Sequence, residues 1–289
     1  VSVAALLLIL AAALLHATWN FFVKRVGGGV LFAWLLAVFS FVLYAIPAGL
    51  VWVSSAPQFS GTDWLFIAGS AGLHLAYFLT LQVGYRKGDL SLVYPLARGT
   101  APLLTTIGAI VFLTERPGWL ALSGIALIVG SVFFLTGGLA ALRGPRSPGA
   151  GEAVRYGLLT GMWIAGYSLW DKYAVGVLLI NPLLFSWLSS VARTVILLPA
   201  AVTQRTELRV LWRAHWRTAL LVAFLSSLAY ILVLTAMSFT DVTYVAPARE
   251  VSILFGAFLG ARILGEGYTR QRLLAAGGMV AGVVCLALG

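Results

Sequence analysis

Tyr94-Pro95-Leu96-Ala97-Arg98-Gly99 sets an arginine inside a long apolar run, where a lone guanidinium is costly. A near-copy, Ala246-Pro247-Ala248-Arg249-Glu250, lies in a second apolar run. Arg98 and Arg249 are 151 residues apart, and so are Glu115 and Glu266. Trp19-Asn20 and Trp170-Asp171 share the same spacing. Scarce residue types that coincide at one offset mark a tandem duplication. The charged stretches then fall at matched places in the two copies.

Working outward, the composition sets the class. Of 289 residues 61% are hydrophobic and 10% charged, and the mean hydropathy is +0.99. A soluble domain of this size lacks the polar atoms to cover such a surface. Apolar runs long enough to cross a bilayer recur along the chain, with room for about ten helices. The expected fold class is an all-α polytopic membrane protein. Its ten transmembrane helices form two inverted five-helix repeats. The net charge of +10 sits between the apolar runs, so it reads as a membrane-orientation signal and not as nucleic-acid binding. The single cysteine, Cys285, excludes an internal disulfide and a cysteine-based metal site.

The spans are expected at 3–23, 30–53, 63–85, 90–113 and 118–140, then 153–176, 182–202, 216–238, 242–264 and 269–288. Asn181-Pro182 starts the seventh span, and Thr203 to Arg217 is the longest polar stretch. The first run reads as a true span and not as a cleaved leader, since no charged segment precedes it. Residues 143–152 form a Pro/Gly-rich linker between a first repeat at 1–142 and a second at 153–289. Leu31-Phe32-Ala33-Trp34-Leu35 matches Leu184-Phe185-Ser186-Trp187-Leu188 at offset 153, and Leu75-Ala76-Tyr77 matches Leu228-Ala229-Tyr230. The connection between the third and fourth spans is therefore two residues longer in the first copy.

An odd number of spans per copy turns the second copy over in the membrane. The charges agree. The connection before the third span has no Lys or Arg, while its counterpart carries Arg205, Arg209, Arg213 and Arg217. Arg86 and Lys87 follow the third span, and nothing basic follows the eighth. By the positive-inside rule the basic side is cytoplasmic. Both termini then face the periplasm of a bacterium, with the chain in the inner membrane.

Leu15-His16-Ala17-Thr18-Trp19-Asn20, Ser91 through Gly99, Trp170-Asp171-Lys172, and Tyr244 to Glu266 resemble the EamA-type branch of the drug/metabolite transporter superfamily. The turns Leu113-Thr114-Glu115 and Leu264-Gly265-Glu266 carry the same resemblance, which covers nearly the whole chain as two repeats. It implies a ten-helix basket around a central cavity and the export of amino acids or other small metabolites. Some members move nucleotide sugars, drugs or lipids.

Intramembrane ionisable groups are the candidate site. Arg98, Arg249 and Glu250 lie deep in their spans beside Pro95, Pro102 and Pro247, which take donors out of the helix ladder. Two guanidiniums suit a carboxylate, phosphate or phosphonate, and Glu250 suits an ammonium group. A second reading has the same residues pairing with one another and locking the halves together. Helix 1 adds His16, Trp19 and Asn20, and its counterpart adds Tyr167, Trp170 and Asp171. Tyr94, His74 and Tyr77 complete the candidate substrate-binding set, and Arg193 either snorkels or pairs. His16 is a candidate proton carrier. Trp34 and Trp187 are expected at interfaces or against lipid. Glu115 and Glu266 are expected to favour the N-terminal ends of the helices that follow them. Gly157/Gly161, Gly256/Gly260 and Gly278/Gly282 allow close helix packing.

No phosphate-binding loop, zinc-protease motif or serine elbow occurs, so no enzyme, cofactor or metal site is expected. Without an ATPase motif, transport is secondary or facilitative. The first reading is a secondary exporter of amino acids, related zwitterions or organic anions, working by alternating access. Proton coupling is one option. Efflux of cationic or aromatic drugs, a lipid flippase and a membrane scaffold stay open beside it. The partners are a small-molecule substrate and the lipid bilayer, and no nucleic acid. Two fused copies make one chain sufficient as a monomer, and a dimer is compatible.

Overall fold

The structure is a computed structural model of the chain. It describes residues 1–26, 29–87, 90–135, 150–255 and 270–289. The described residues are all α-helix and loop. The first repeat supplies α1 (Val3–Val26), α2 (Val30–Leu43), α3 (Ala45–Ser55), α4 (Gly61–Lys87), α5 (Leu90–Phe112) and α6 (Trp119–Leu135). The second supplies α7 (Ala150–Gly176), α8 (Pro182–Thr203), α9 (Arg205–Phe239), α10 (Val242–Ala248) and α11 (Arg270–Leu288). A further helical stretch runs at 251–255.

Local chemistry sets the boundaries. Ser60 and Asp63 start α4 as a reciprocal cap: Ser60 N donates to Asp63 Oδ2 at 2.7 Å, and Asp63 N to Ser60 Oγ at 3.2 Å. Asn181 Oδ1 accepts from Leu183 N and Leu184 N at 3.0 and 3.3 Å, with Pro182 pre-set for the first turn of α8.

Three spans differ from expectation. The second is bent by 50° at Tyr44 and divides into α2 and α3. The polar stretch after Thr203 is not a loop. α9 begins at Arg205, because 205–217 holds good helix formers and neither Gly nor Pro. At about 1.5 Å per residue α9 is about 52 Å long, against about 30 Å of hydrocarbon. The ninth span stops at Ala248, turns through Arg249 and Glu250, and resumes at Val251. Glu250 N, Ser252 N and Ile253 N each donate to the carbonyl three residues earlier, at 2.9–3.0 Å, so the break is a tightened turn. α5 runs through both of its prolines unbroken. Glu266, Gly256, Gly260 and most of the linker lie outside the described residues.

Among the described residues, Val3–Val23, Gly61–Lys87, Pro182–Thr203 and Arg205–Phe239 are long and apolar enough to cross a membrane. The bent pair α2–α3 is a fifth if it counts as one span. Large apolar side chains such as Leu7, Ile46, Val53, Phe112 and Trp119 face outward, as a lipid-facing exterior requires.

The repeats pack by exchange. α1 of the first repeat lies on α9 of the second, and α7 of the second lies on α4 of the first. α2 crosses α8, and α6 crosses α11. The indole of Trp34 donates to the Thr194 carbonyl at 3.1 Å, and that of Trp187 donates to the Phe41 carbonyl at 2.9 Å. Trp34 and Trp187 are repeat mates, and so are Phe41 and Thr194, at offset 153. A contact that is repeated with its partners exchanged is the mark of a two-fold relation. These tryptophans hold the halves together, and neither indole nitrogen is left to lipid. Close packing elsewhere uses glycine. A Cβ on Gly124 of α6 would sit 2.6 Å from the Gly282 carbonyl of α11, and one on Gly161 of α7 would collide with Thr100 of α5.

Candidate functional site

The reciprocal helix pairs leave a central cavity of about 290 Å³. Residues from both repeats line it, several of them as pairs of repeat mates. His16 lies with its mate Tyr167, Tyr77 with Tyr230, His74 with Ser227, and Arg98 with Arg249. The lining reaches Val23, Phe32, Gln82 and Leu197, toward the bundle end that holds the α1–α2 connection. Trp19, Phe32, Phe78 and the three tyrosines make much of the wall aromatic.

The two arginines differ in what they touch. Arg98, from α5, brings Nε to 3.1 Å from Glu250 Oε2 and donates through a terminal nitrogen to Ser252 Oγ at 3.3 Å. Its N–H is not aimed at the carboxylate, so the pair is a charge contact without an aligned hydrogen bond. Both partners are nearly enclosed, at 15% and 7% side-chain exposure. Breaking such a pair from one side is costly, because a buried charge is left behind. Arg249 lines the same cavity. Among the described residues its guanidinium makes no hydrogen bond or ion pair. The break at Arg249–Glu250 turns one side chain onto Arg98 and the other into the cavity.

A third guanidinium, Arg193 of α8, also lines the cavity. It is held by its own helix: Nε donates to the Ser189 carbonyl at 3.3 Å, and a terminal nitrogen to Ser190 Oγ at 3.0 Å. Among the described residues, three guanidiniums, Arg98, Arg193 and Arg249, thus line the cavity with one carboxylate, Glu250, while Asp171 lies behind the wall. The surplus charge of the site is positive.

Seven of the expected site residues line the cavity: Arg98, Arg249, Glu250, His16, Trp19, His74 and Tyr77. Four do not. Asn20 is exposed and returns its amide to the His16 carbonyl at 2.8 Å, within its own helix. Tyr94 lies one turn before Arg98, outside the lining. Trp170 donates to the Phe66 carbonyl at 2.8 Å and stacks on Phe66 at 4.2 Å, over Gly69, so it joins α7 to α4. Asp171 is buried behind the wall, where it accepts from Tyr230 Oη at 2.6 Å.

Sequence reasoning passed over Tyr230, Gln82 and Ser252 and left Arg193 undecided. Tyr230 was within reach, because it is the repeat mate of Tyr77. Arg193 was not, because its mate is Ser40 and the repeat carries no signal for a charge there.

At the other end of the bundle one polar side chain ties the repeats together and another caps a helix within the second repeat. Both carboxylate oxygens of Glu115 accept backbone N–H groups at the start of α10, Val242 N and Thr243 N, each at 2.9 Å. Glu115 therefore caps a helix of the opposite repeat and not the helix that follows it. Lys172 Nζ donates to the Met237 and Thr240 carbonyls at 2.8 and 3.0 Å, which caps the end of α9.

The EamA-like transporter family matches residues 3–137 and residues 153–288, two copies that span nearly the whole chain. The chain belongs to this family. It is a multi-pass membrane transporter of the drug/metabolite transporter superfamily built from two EamA repeats. The EamA-like chain also superposes on a solved crystal structure over 100% of its own length and 98% of that chain, with a TM-score of 0.78 and 15% identity. At that identity the likeness speaks for the fold alone. A comparison with curated proteins gives no match.

Proposed function

We propose that this EamA-like transporter moves small organic anions or zwitterions with an aromatic or apolar body. The observation that carries the reading is the guanidinium of Arg249, without a hydrogen-bond or ion-pair partner among the described residues, inside an aromatic-walled cavity. A carboxylate or phosphate would take its N–H fork, and an ammonium group would meet Glu250. Arg98, engaged with Glu250 and Ser252, is assigned to joining the halves. The two alternatives left open by the sequence thus divide between the two arginines. A lipophilic cation fits less well, because three guanidiniums oppose two carboxylates.

In this reading the carrier works by alternating access as ten spans in two inverted five-span halves. It exports substrate across the inner membrane of a bacterium, with both termini periplasmic. The cavity then reaches toward the cytoplasm, and the opposite end is held shut by Glu115. A reporter active only in the cytoplasm should fluoresce when inserted after Gln204 and stay dark when fused after Gly289. The reverse pattern would invert the orientation.

The substrate class is tested by thermal stabilisation of purified protein against a panel of amino acids, small carboxylates, phosphates and lipophilic cations. A ligand bound only by the folded form raises apparent stability. Anions or zwitterions should raise the melting temperature, and cations should not. Stabilisation by the cations alone would sink the assignment.

A further inference from the structure

At the cavity wall lies a cluster to which the substrate reading assigns no ligand contact: His74 lines the cavity and Asp171 is buried behind it. His74 Nδ1 is 2.9 Å from the Ser70 carbonyl of its own helix. A carbonyl only accepts, so Nδ1 carries the hydrogen. In a neutral ring Nε2 then presents a lone pair. It faces Asp171 Oδ2 at 3.9 Å. Asp171 Oδ2 already accepts from Tyr230, and Oδ1 is buried without a hydrogen-bond partner. A bare carboxylate there would oppose a lone pair and leave an oxygen unsatisfied out of water, which is costly. One proton shared by the pair removes the conflict, whether it rests on the carboxyl or on the imidazole.

The surroundings suit a loaded proton that can leave. The Ser70 hydroxyl of α4 lies 3.4 Å from the imidazole, Tyr167 of α7 stacks on the imidazole at 4.1 Å and is itself met by Tyr77 of α4, and Tyr230 meets the imidazole edge at 5.3 Å from α9. Arg193 of α8 and Arg249 beyond α10 are the cations nearby. Tyr230 both lines the cavity and touches Asp171, so its hydroxyl stands between water and the carboxyl. The repeat mates of Asp171 and His74 are Asn20 and Ser227, which do not ionise near neutrality. The pair joins the two halves, and the mated positions carry no ionisable counterpart, so the duplicated fold does not require it.

We infer that Asp171 and His74 form a one-proton coupling site, with Tyr230 as its connection to the cavity. The coupling role rests on the transporter reading above; the proton site itself does not. An anion on Arg249 offsets the positive charge that opposes protonation, so anion and proton load together, and each raises the affinity for the other. The proton moves from cavity water to the pair on loading and returns to water on release, so it travels in the same direction as the substrate, and export by this route is driven by the outward substrate gradient. His16, the candidate carrier read from the sequence, lines the cavity beside Trp19 with no carboxylate in ion-pair contact among the described residues.

The test begins without substrate, on the purified chain in lipid nanodiscs at neutral pH. Infrared spectra should show a protonated-carboxyl band, or 15N spectra should show an imidazolium assigned through His74→Gln. Asp171→Asn should remove whichever signal is present, and Tyr230→Phe should shift it while the carboxyl remains. A wild-type protein showing neither signal overturns the inference, even if Asp171→Asn fails to fold, and leaves the transporter reading standing. Coupling is then read in pyranine-loaded proteoliposomes given L-glutamate, L-phenylalanine or benzoate. Uptake of any of these with an inward proton flux that Asp171→Asn abolishes supports coupling. Uptake with no lumenal pH change overturns it. Proton signals without uptake of any probe support the proton site and count against the proposed substrate class.

Discussion

Arg249→Ala is expected to weaken binding of the stabilising anion by on the order of a hundredfold while leaving the fold intact. The side chain has no hydrogen-bond or ion-pair partner among the described residues, so truncation strands no buried group there. What is lost is the fork that two charge-assisted hydrogen bonds to a ligand would use. At about 1.5 kcal/mol each they amount to about 3 kcal/mol, or roughly two decades in affinity. Isothermal titration with wild type and variant measures it, and an unchanged melting temperature without ligand confirms the fold. Arg249→Lys should recover part of the loss, since an ammonium keeps the charge but not the planar fork. Wild-type affinity in Arg249→Ala would refute the assignment. Arg98→Ala should behave differently and lower stability without ligand, because Glu250 would be left buried and unpaired.

Glu115→Ala is expected to have the largest effect on stability. The carboxylate is 7% exposed and satisfies two backbone donors at the start of α10. No other helix end among the described residues has both of its donors served by one side chain of the opposite repeat. Leaving two N–H groups unsatisfied out of water costs about 1–3 kcal/mol each, so a loss of about 3 kcal/mol or more is expected. Glu115→Gln keeps one acceptor oxygen and should fall between the two. Thermal unfolding in detergent, followed by intrinsic fluorescence, reads the series. An Ala variant as stable as wild type would show that the cap contributes nothing.

The duplication was legible because Arg, Glu and Trp are scarce in this chain, so one offset shared among them carries weight. Family membership followed from the same residues. Within the site, sequence alone found the arginines because an ionised group in an apolar run is anomalous wherever the helix points. It did not separate them, since Arg98 and Arg249 have near-identical neighbours. Their roles diverge through a backbone break that Pro247 permits but that Pro95 and Pro102 do not cause in α5. Asn20 and Trp170 were assigned by position on a helix whose rotation cannot be read from periodicity, because α1 and α7 are apolar on most sides. The start of α9 is not legible from polarity, because 205–217 is a polar and mostly exposed helix, not a loop. Glu115 was read correctly as a helix-end group and matched to the wrong helix, because its partner is 127 residues away in the chain.

The exchanged hydrogen bonds of Trp34 and Trp187 bear on how the working cycle is observed. If a second state is the first with the shapes of the two repeats interchanged, the distance between any residue and its own repeat mate is the same in both. A label pair on Trp34 and Trp187 would then be blind to switching and would serve as an internal ruler. Pairs that are not mates, such as Val23 with Gln82, would carry the signal. Their second-state separation is already present in this structure, between Ala174 and Thr235 of the other half.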